Sequence, residues 1–159
     1  TAVGFLAAAL RTAGYCPAVG THSLDSCTTG VANVAVGDGS LGAITTGGYC
    51  TAMGHFALHN TTTQYNVAVG ANAGRENVGG YVTAIGNNAC RSNTTGDQNT
   101  AVGNSALYQN QTGINNTAVG NNALYANTGS SCTAMGRYAN MQSTGDENTS
   151  FGNMAKNDF

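Results

Sequence analysis

TAVGNSALYQNQTGINN, residues 100–116, runs without a break into TAVGNNALYANTGSSC, residues 117–132, and the two stretches are one template written twice. Working outward from this pair, the Gly that closes the Thr-Ala-(Val/Ile/Met)-Gly motif falls at Gly4, Gly20, Gly37, Gly54, Gly70, Gly86, Gly103, Gly120, Gly136 and Gly152, a spacing of 16 or 17 throughout. A short fixed period over a whole chain marks a solenoid or a stacked array. The units begin at residues 1, 17, 34, 51, 67, 83, 100, 117, 133 and 149, so residues 1–159 read as a single repeat domain of ten coils.

Within the unit, position 1 is Thr, Val or Pro, position 2 is Ala in all units but the last, position 3 is Val, Ile, Met or Phe, position 4 is Gly and position 7 is Ala or Ser; Leu is usual at position 8, and a polar stretch of Asn, Gln, Thr and Gly leads on. At about 3.3 Å per residue such a unit traces a closed path of about 55 Å, the perimeter of one flattened coil. Helical repeats need more than thirty residues per unit, and Thr and Val beside Gly make poor helix. A hairpin meander wants Asn-Gly or Asp-Gly turns; the chain has no Asn-Gly and one Asp-Gly, at Asp38 and Gly39. The expected fold is all-β: a β-solenoid whose corners stack Asn on Asn from coil to coil.

Neighbouring strand residues point to opposite faces, yet positions 2 and 3 are both apolar, and continuous apolar runs mark strands buried on both sides. Ala2, Ala35, Ala52, Ala68, Ala84, Ala101, Ala118 and Ala134 are expected to line one face, and Val3, Val36, Met53, Val69, Ile85, Val102, Val119 and Met135 the other. One face looks into a lumen kept narrow by the small residue at position 7. The other needs a partner outside the coil, and a parallel homotrimer with these strands at its axis is the expected completion.

Only 8% of the residues are charged, with five Lys/Arg against seven Asp/Glu, so solubility rests on amides and hydroxyls. The cations are scattered singly (Arg11, Arg75, Arg91, Arg137, Lys156) and form no stripe to follow phosphates, which argues against nucleic acid. No stretch approaches the ~20 apolar residues of a membrane-spanning helix, and no targeting segment is evident. Because the chain opens on the first residue of a unit and stops inside one, it is expected to be a segment of a longer fibre.

Read as NTAVGNxALYxNxTG, the units resemble repeats of phage tail fibres and related fibre proteins, some of which end in an endosialidase-type chaperone domain, and also the head repeats of trimeric autotransporter adhesins. The likeness is clearest over Thr83 to Cys132 and loosest over Pro17 to Cys50. It implies a homotrimer of parallel β-coils in a fibre, on a virion or at a cell surface. Neither a terminal chaperone domain, a heptad stalk nor an anchoring barrel is recognisable, and the matched positions are structural, so no receptor-contacting residue carries over.

Candidate chemical sites are few. Cys16, Cys50 and Cys132 share one phase, Cys90 takes a Leu slot and Cys27 is placed in a turn; an odd number is a poor disulfide framework. Cys16 and Cys50 lie two coils apart, about 9.6 Å, beyond the ~7 Å limit for a bridge, so free thiols and a reducing compartment are expected. His55 and His59 lack a carboxylate or Cys companion, and the neighbours His22, Ser23 and Asp25 cannot point at one another as a triad must. The acids, Asp25, Asp38, Glu76, Asp97, Asp146, Glu147 and Asp158, share no phase, which argues against a calcium-binding repeat. No catalytic residue, metal or cofactor is expected. Asn-x-Ser/Thr triplets begin at Asn60, Asn93, Asn110, Asn115 and Asn148 and are acceptors only in a secretory setting. Tyr108 and Tyr125 share position 9, with Met141 following, and read as a packing ladder.

The expectation is thus a non-enzymatic segment of a trimeric fibre, most simply a phage or virus tail or receptor-attachment fibre; a bacterial adhesin head is the alternative and an ice-binding solenoid or extracellular filament a third. Partners are the chain itself and a cell-surface glycan or receptor. Positions 5, 6 and 9 to 11 are expected to be exposed, with His22, Phe56, His59, Tyr108 and Tyr138 as candidate contacts.

Overall fold

A computed structural model describes residues 1–10 and 14–156. The motif at the head of each unit forms a short strand: β1 (Ala2–Val3), β2 (Ala18–Val19), β3 (Val34–Val36), β4 (Thr51–Met53), β5 (Val67–Val69), β6 (Thr83–Ile85), β7 (Thr100–Val102), β8 (Thr117–Val119), β10 (Thr133–Met135) and β12 (Thr149–Phe151). These ten stack in sequence order as one sheet, so the chain winds through about nine turns. Every pairing is parallel and in register, position upon position: Thr100 on Thr117, Ala101 on Ala118, Val102 on Val119. The remaining two strands, β9 (Ala126–Asn127) and β11 (Gln142–Ser143), pair in parallel on another side of the coil. The fold is a parallel β-solenoid.

Parallel strands joined by a full turn leave corner backbone with no hairpin partner, so its polar groups bond to the next coil instead. Leu107 N–H donates to the Ala123 carbonyl at 3.0 Å, and Gln109 N–H to that of Tyr125 at 2.8 Å. Each regular coil turns its corners on residues with positive φ, such as Ser105 (53°), Leu107 (50°) and Asn115 (58°). These single left-handed residues do the work that Asn-Gly turns do in hairpins, which accounts for the rarity of that dipeptide. The conformation costs an L-residue roughly 1–2 kcal/mol, and Leu tolerates it here because its side chain is wholly buried: Leu24, Leu41, Leu58, Leu107 and Leu124 form one column in the lumen.

The Ala of position 2 forms the facing column. Ala35, Ala52, Ala68, Ala84, Ala101, Ala118 and Ala134 are fully buried, as are the small residues of position 7 (Ser23, Ser40, Ala57, Ala73, Ala89, Ala106, Ala123, Ala139). Ala2 departs from the expectation: it lies on a terminal coil, covered on one side only, and is exposed.

The polar stretch is less external than its composition suggests. Position 11, expected on the surface, points into the lumen, and so does the residue immediately before position 1. Asn93 donates to Asn77 Oδ1 at 2.6 Å, Asn110 to Asn93 Oδ1 at 2.7 Å and Asn127 to Asn110 Oδ1 at 3.0 Å, an interior ladder of amides. In the second column Asn99 Oδ1 accepts from Asn116 N–H, and Asn116 Oδ1 from Cys132 N–H. Buried amides are tolerated because stacking gives each a partner above and below. The first ladder ends where Ser143 follows Asn127 in the stack, and Asn127 Oδ1 has no hydrogen-bond partner.

Gly at position 4 is required by geometry. At Gly103 φ is 138°, and a Cβ there would lie 2.5 Å from the Gly120 carbonyl oxygen of the next coil. Gly103→Ala is expected to destabilise the fold by about 3 kcal/mol or more, since it combines a strained φ with a clash against backbone. Thermal melting checks this; a change within ~0.5 kcal/mol would mean that neighbouring coils separate freely.

Candidate interaction surface

Alternation along each strand sends positions 1 and 3 outward when position 2 points in. The outer face of the ten-stranded sheet therefore carries an unbroken column of large apolar side chains: Val3, Val19, Val36, Met53, Val69, Ile85, Val102, Val119, Met135 and Phe151. Mid-column, Met53 is 45% and Ile85 40% exposed, while Val102 and Val119 are half-buried. Nine strand spacings of about 4.8 Å make the column about 43 Å long. Beside it runs a half-buried column at position 1, Thr at Thr51, Thr83, Thr100, Thr117 and Thr133 and Val at Val34 and Val67. Scattered apolar residues on a surface need no explanation, but a continuous stripe marks an interaction site.

The coil also carries a tyrosine ladder not anticipated from the sequence. Tyr49, Tyr65 and Tyr81 stand two residues before position 1, with ring centroids 5.3 and 5.1 Å apart and planes within 14° of parallel. Tyr15 shares the phase and is 94% exposed. The signal was available in the register, but Ala32, Gln98, Asn115 and Ser131 interrupt the column and conceal it.

The candidate contact residues lie on other sides of the coil and do not form one site. His22 packs edge-on against Phe5, whereas Ser23 turns inward and donates to the Gly20 carbonyl at 2.8 Å, so these neighbours of Asp25 diverge. Phe56 sits between His55 and His59, with the Arg75 guanidinium 5.2 Å from its ring centre; His59 Nδ1 is 2.7 Å from the Gly39 carbonyl. His55 Nε2 approaches Asp38 at 3.7 Å. Tyr108 stacks on Tyr125 at 5.0 Å with planes 1° apart, and Arg91 donates to the Tyr108 hydroxyl at 2.8 Å. These rings are packed coil on coil, as a packing ladder requires. Tyr138, under the Arg137 guanidinium, lines an open depression of about 460 Å³ with Met141, Met154 and Lys156.

Two of the acids cap backbone: Asp97 Oδ1 accepts from Gly80 N–H and Asp146 Oδ1 from Ser130 N–H, both at 2.7 Å. Arg11 and Asp158 lie outside the described residues. Among the described residues no group of three or more His, Cys, Asp or Glu is arranged to hold a metal ion. Of the triplet asparagines, Asn60 and Asn115 are exposed, Asn148 is half-buried, and Asn93 and Asn110 are sealed in the lumen, where no glycan fits.

All five thiols are buried, and Cys27, expected in a turn, faces the lumen because position 11 does. Burial pushes the Cys90 thiol up to about 12 and raises that of Cys50, which keeps both protonated and unreactive at neutral pH. Comparisons with protein-family models, with characterised proteins and with solved structures find no match to this chain.

Proposed function

We propose that this chain is a non-enzymatic structural segment of an extended homotrimeric fibre, of the phage or virus tail or receptor-attachment kind. The observation that carries the reading is the apolar column at position 3, which runs the length of the sheet on its outer face while the lumen behind it is already filled. Three copies turning these columns toward a common axis bury it along its whole length. The fibre setting rests on the resemblance of the NTAVGNxALYxNxTG unit. The work of such a segment is mechanical: a stiff, nearly uncharged rod sets a binding tip away from its anchor, and recognition resides elsewhere on the fibre. Interior amide ladders and coil-to-coil backbone bonds suit that task, since each coil is held by its neighbours.

Light scattering on the purified chain is expected to give about three times 16.0 kDa, or a polymer of that unit. A compact, stable monomer would overturn the assembly. In that event the Thr column beside the apolar one favours the ice-binding reading, and a thermal-hysteresis measurement on the monomer decides it. Saturable, sugar-competed binding of the repeats to cells would instead favour the adhesin head.

A further inference from the structure

We propose that Cys16 and Cys27 form a site of reversible covalent modification, closing across the lumen to a disulfide when a small disulfide oxidant is present. The inference does not depend on the fibre reading. It begins with the two interior columns, the residue before position 1 and position 11, which meet at the carbonyl of one Gly in each regular coil. Gly113 O accepts from Asn99 Nδ2 and Asn110 Nδ2, both at 2.8 Å; Gly129 O accepts from Asn116 Nδ2 at 3.0 Å and Asn127 Nδ2 at 2.7 Å. In one coil both amides are replaced by thiols. The Gly30 carbonyl oxygen lies 3.3 Å from Cys16 Sγ and 3.8 Å from Cys27 Sγ.

Two thiols converging on one acceptor are close to each other, and the equivalent pair further along the solenoid shows how close. Cys132 and Ser143 occupy the same two columns, converge on Gly145 O, and have their γ atoms 3.9 Å apart. Rotation of two short side chains with a small shift of their Cβ atoms brings such atoms to the ~2.05 Å of a disulfide. No other pair of the five has this placement. Thr61 stands opposite Cys50 in the same relation and Ser143 opposite Cys132, while Cys90 belongs to the Leu column. Asn33 separates Cys16 from Cys50, donating its N–H to Cys16 Sγ and accepting the Cys50 N–H on Oδ1.

With oxidised glutathione as oxidant, one thiolate attacks a glutathione sulfur and expels a glutathione thiolate. The second protein thiolate then displaces the other glutathione from the mixed disulfide. The two protein thiols lose two protons and two electrons, and one glutathione disulfide becomes two glutathione thiols. Because both sulfurs are buried, exchange belongs to folding or to opening of this coil. The product fastens the coil across its own lumen and blocks that opening.

The test removes the question of access. The full chain is unfolded with reductant and refolded by dilution into a buffer of reduced and oxidised glutathione, then quenched by alkylation and mapped by mass spectrometry. The expected product is lighter by two hydrogens before alkylation, has lost two of its five alkylatable thiols, and carries the link between Cys16 and Cys27. Cys16→Ser or Cys27→Ser abolishes it; Cys50→Ser and Cys90→Ala do not. Ser143→Cys transplants the geometry and is expected to add a second bridge at Cys132. Five alkylatable thiols, a bridge between other cysteines, or no added bridge in Ser143→Cys would each overturn the proposal. The wild-type map alone decides it should a Ser variant fail to fold.

Discussion

Ala118→Asp is expected to abolish cooperative folding of the central coils, whereas Asn121→Asp, three residues on, leaves the melting curve nearly unchanged. Ala118 has no exposure and stacks in register between Ala101 and Ala134. Its Cβ looks into a lumen filled by Ala and Leu, where a carboxylate meets neither water nor a cation. An unpaired charge in such a place costs several kcal/mol, beyond the ordinary range of point substitutions. Because each coil is stabilised mainly by its neighbours, a defect at β8 separates the array into two shorter ones, neither with the original number of interfaces. Asn121 sits on the outside and loses only a long 3.3 Å bond to Asn104 Oδ1, an effect of about 0.5 kcal/mol. Circular dichroism melts of the two variants side by side are the measurement. Comparable losses would place position 2 outside the lumen and refute the assigned register.

What the sequence disclosed and what it withheld divide along a physical line. Period and strand register follow from covalent spacing: the 16- or 17-residue return of Thr-Ala-Val-Gly leaves no other way to stack Ala101 on Ala118. That positions 2 and 3 face opposite ways follows too, because adjacent strand residues cannot share a face; which of them fills the lumen is shown by the burial of Ala101 and Ala118 and the exposure of Met53 and Ile85. The interior amides were not legible, because an Asn in a polar run looks like a surface turn until its neighbours above and below are known. Asn93 and Asn110 are acceptable inside only as members of a stack, a property of the column and not of the residue. The misplacement of Cys27 has the same origin, for it stands in the position-11 column at the level where that column has no Asn. The tyrosine ladder was hidden differently: Tyr49, Tyr65 and Tyr81 align only when each unit is counted backward from position 1, in the part of the repeat where composition varies most.

The column at position 3 yields the sharpest test of assembly. If the proposed homotrimer buries this column, Ile85→Glu combined with Val119→Glu is expected to leave the individual coil folded and to dissociate the trimer. Both side chains stand on the outer face of the sheet, two strands apart in β6 and β8, and take no part in filling the lumen. In an isolated chain the substitution exchanges exposed apolar surface for a hydrated charge, a change of about 0.5 kcal/mol per site. In a trimer the same residues meet around the axis, where each layer brings three like charges into an apolar contact with no cation nearby. At a desolvation cost of several kcal/mol per buried carboxylate and ~1.4 kcal/mol per tenfold in affinity, the association constant falls by many orders of magnitude. The expected outcome is a mass near 16.0 kDa in place of about three times that value, with the β-rich circular dichroism of the wild type retained. A variant that remains trimeric would move the interface to another face, the tyrosine ladder being the next to probe; one that unfolds as a monomer would show that these side chains belong to the core of the single coil.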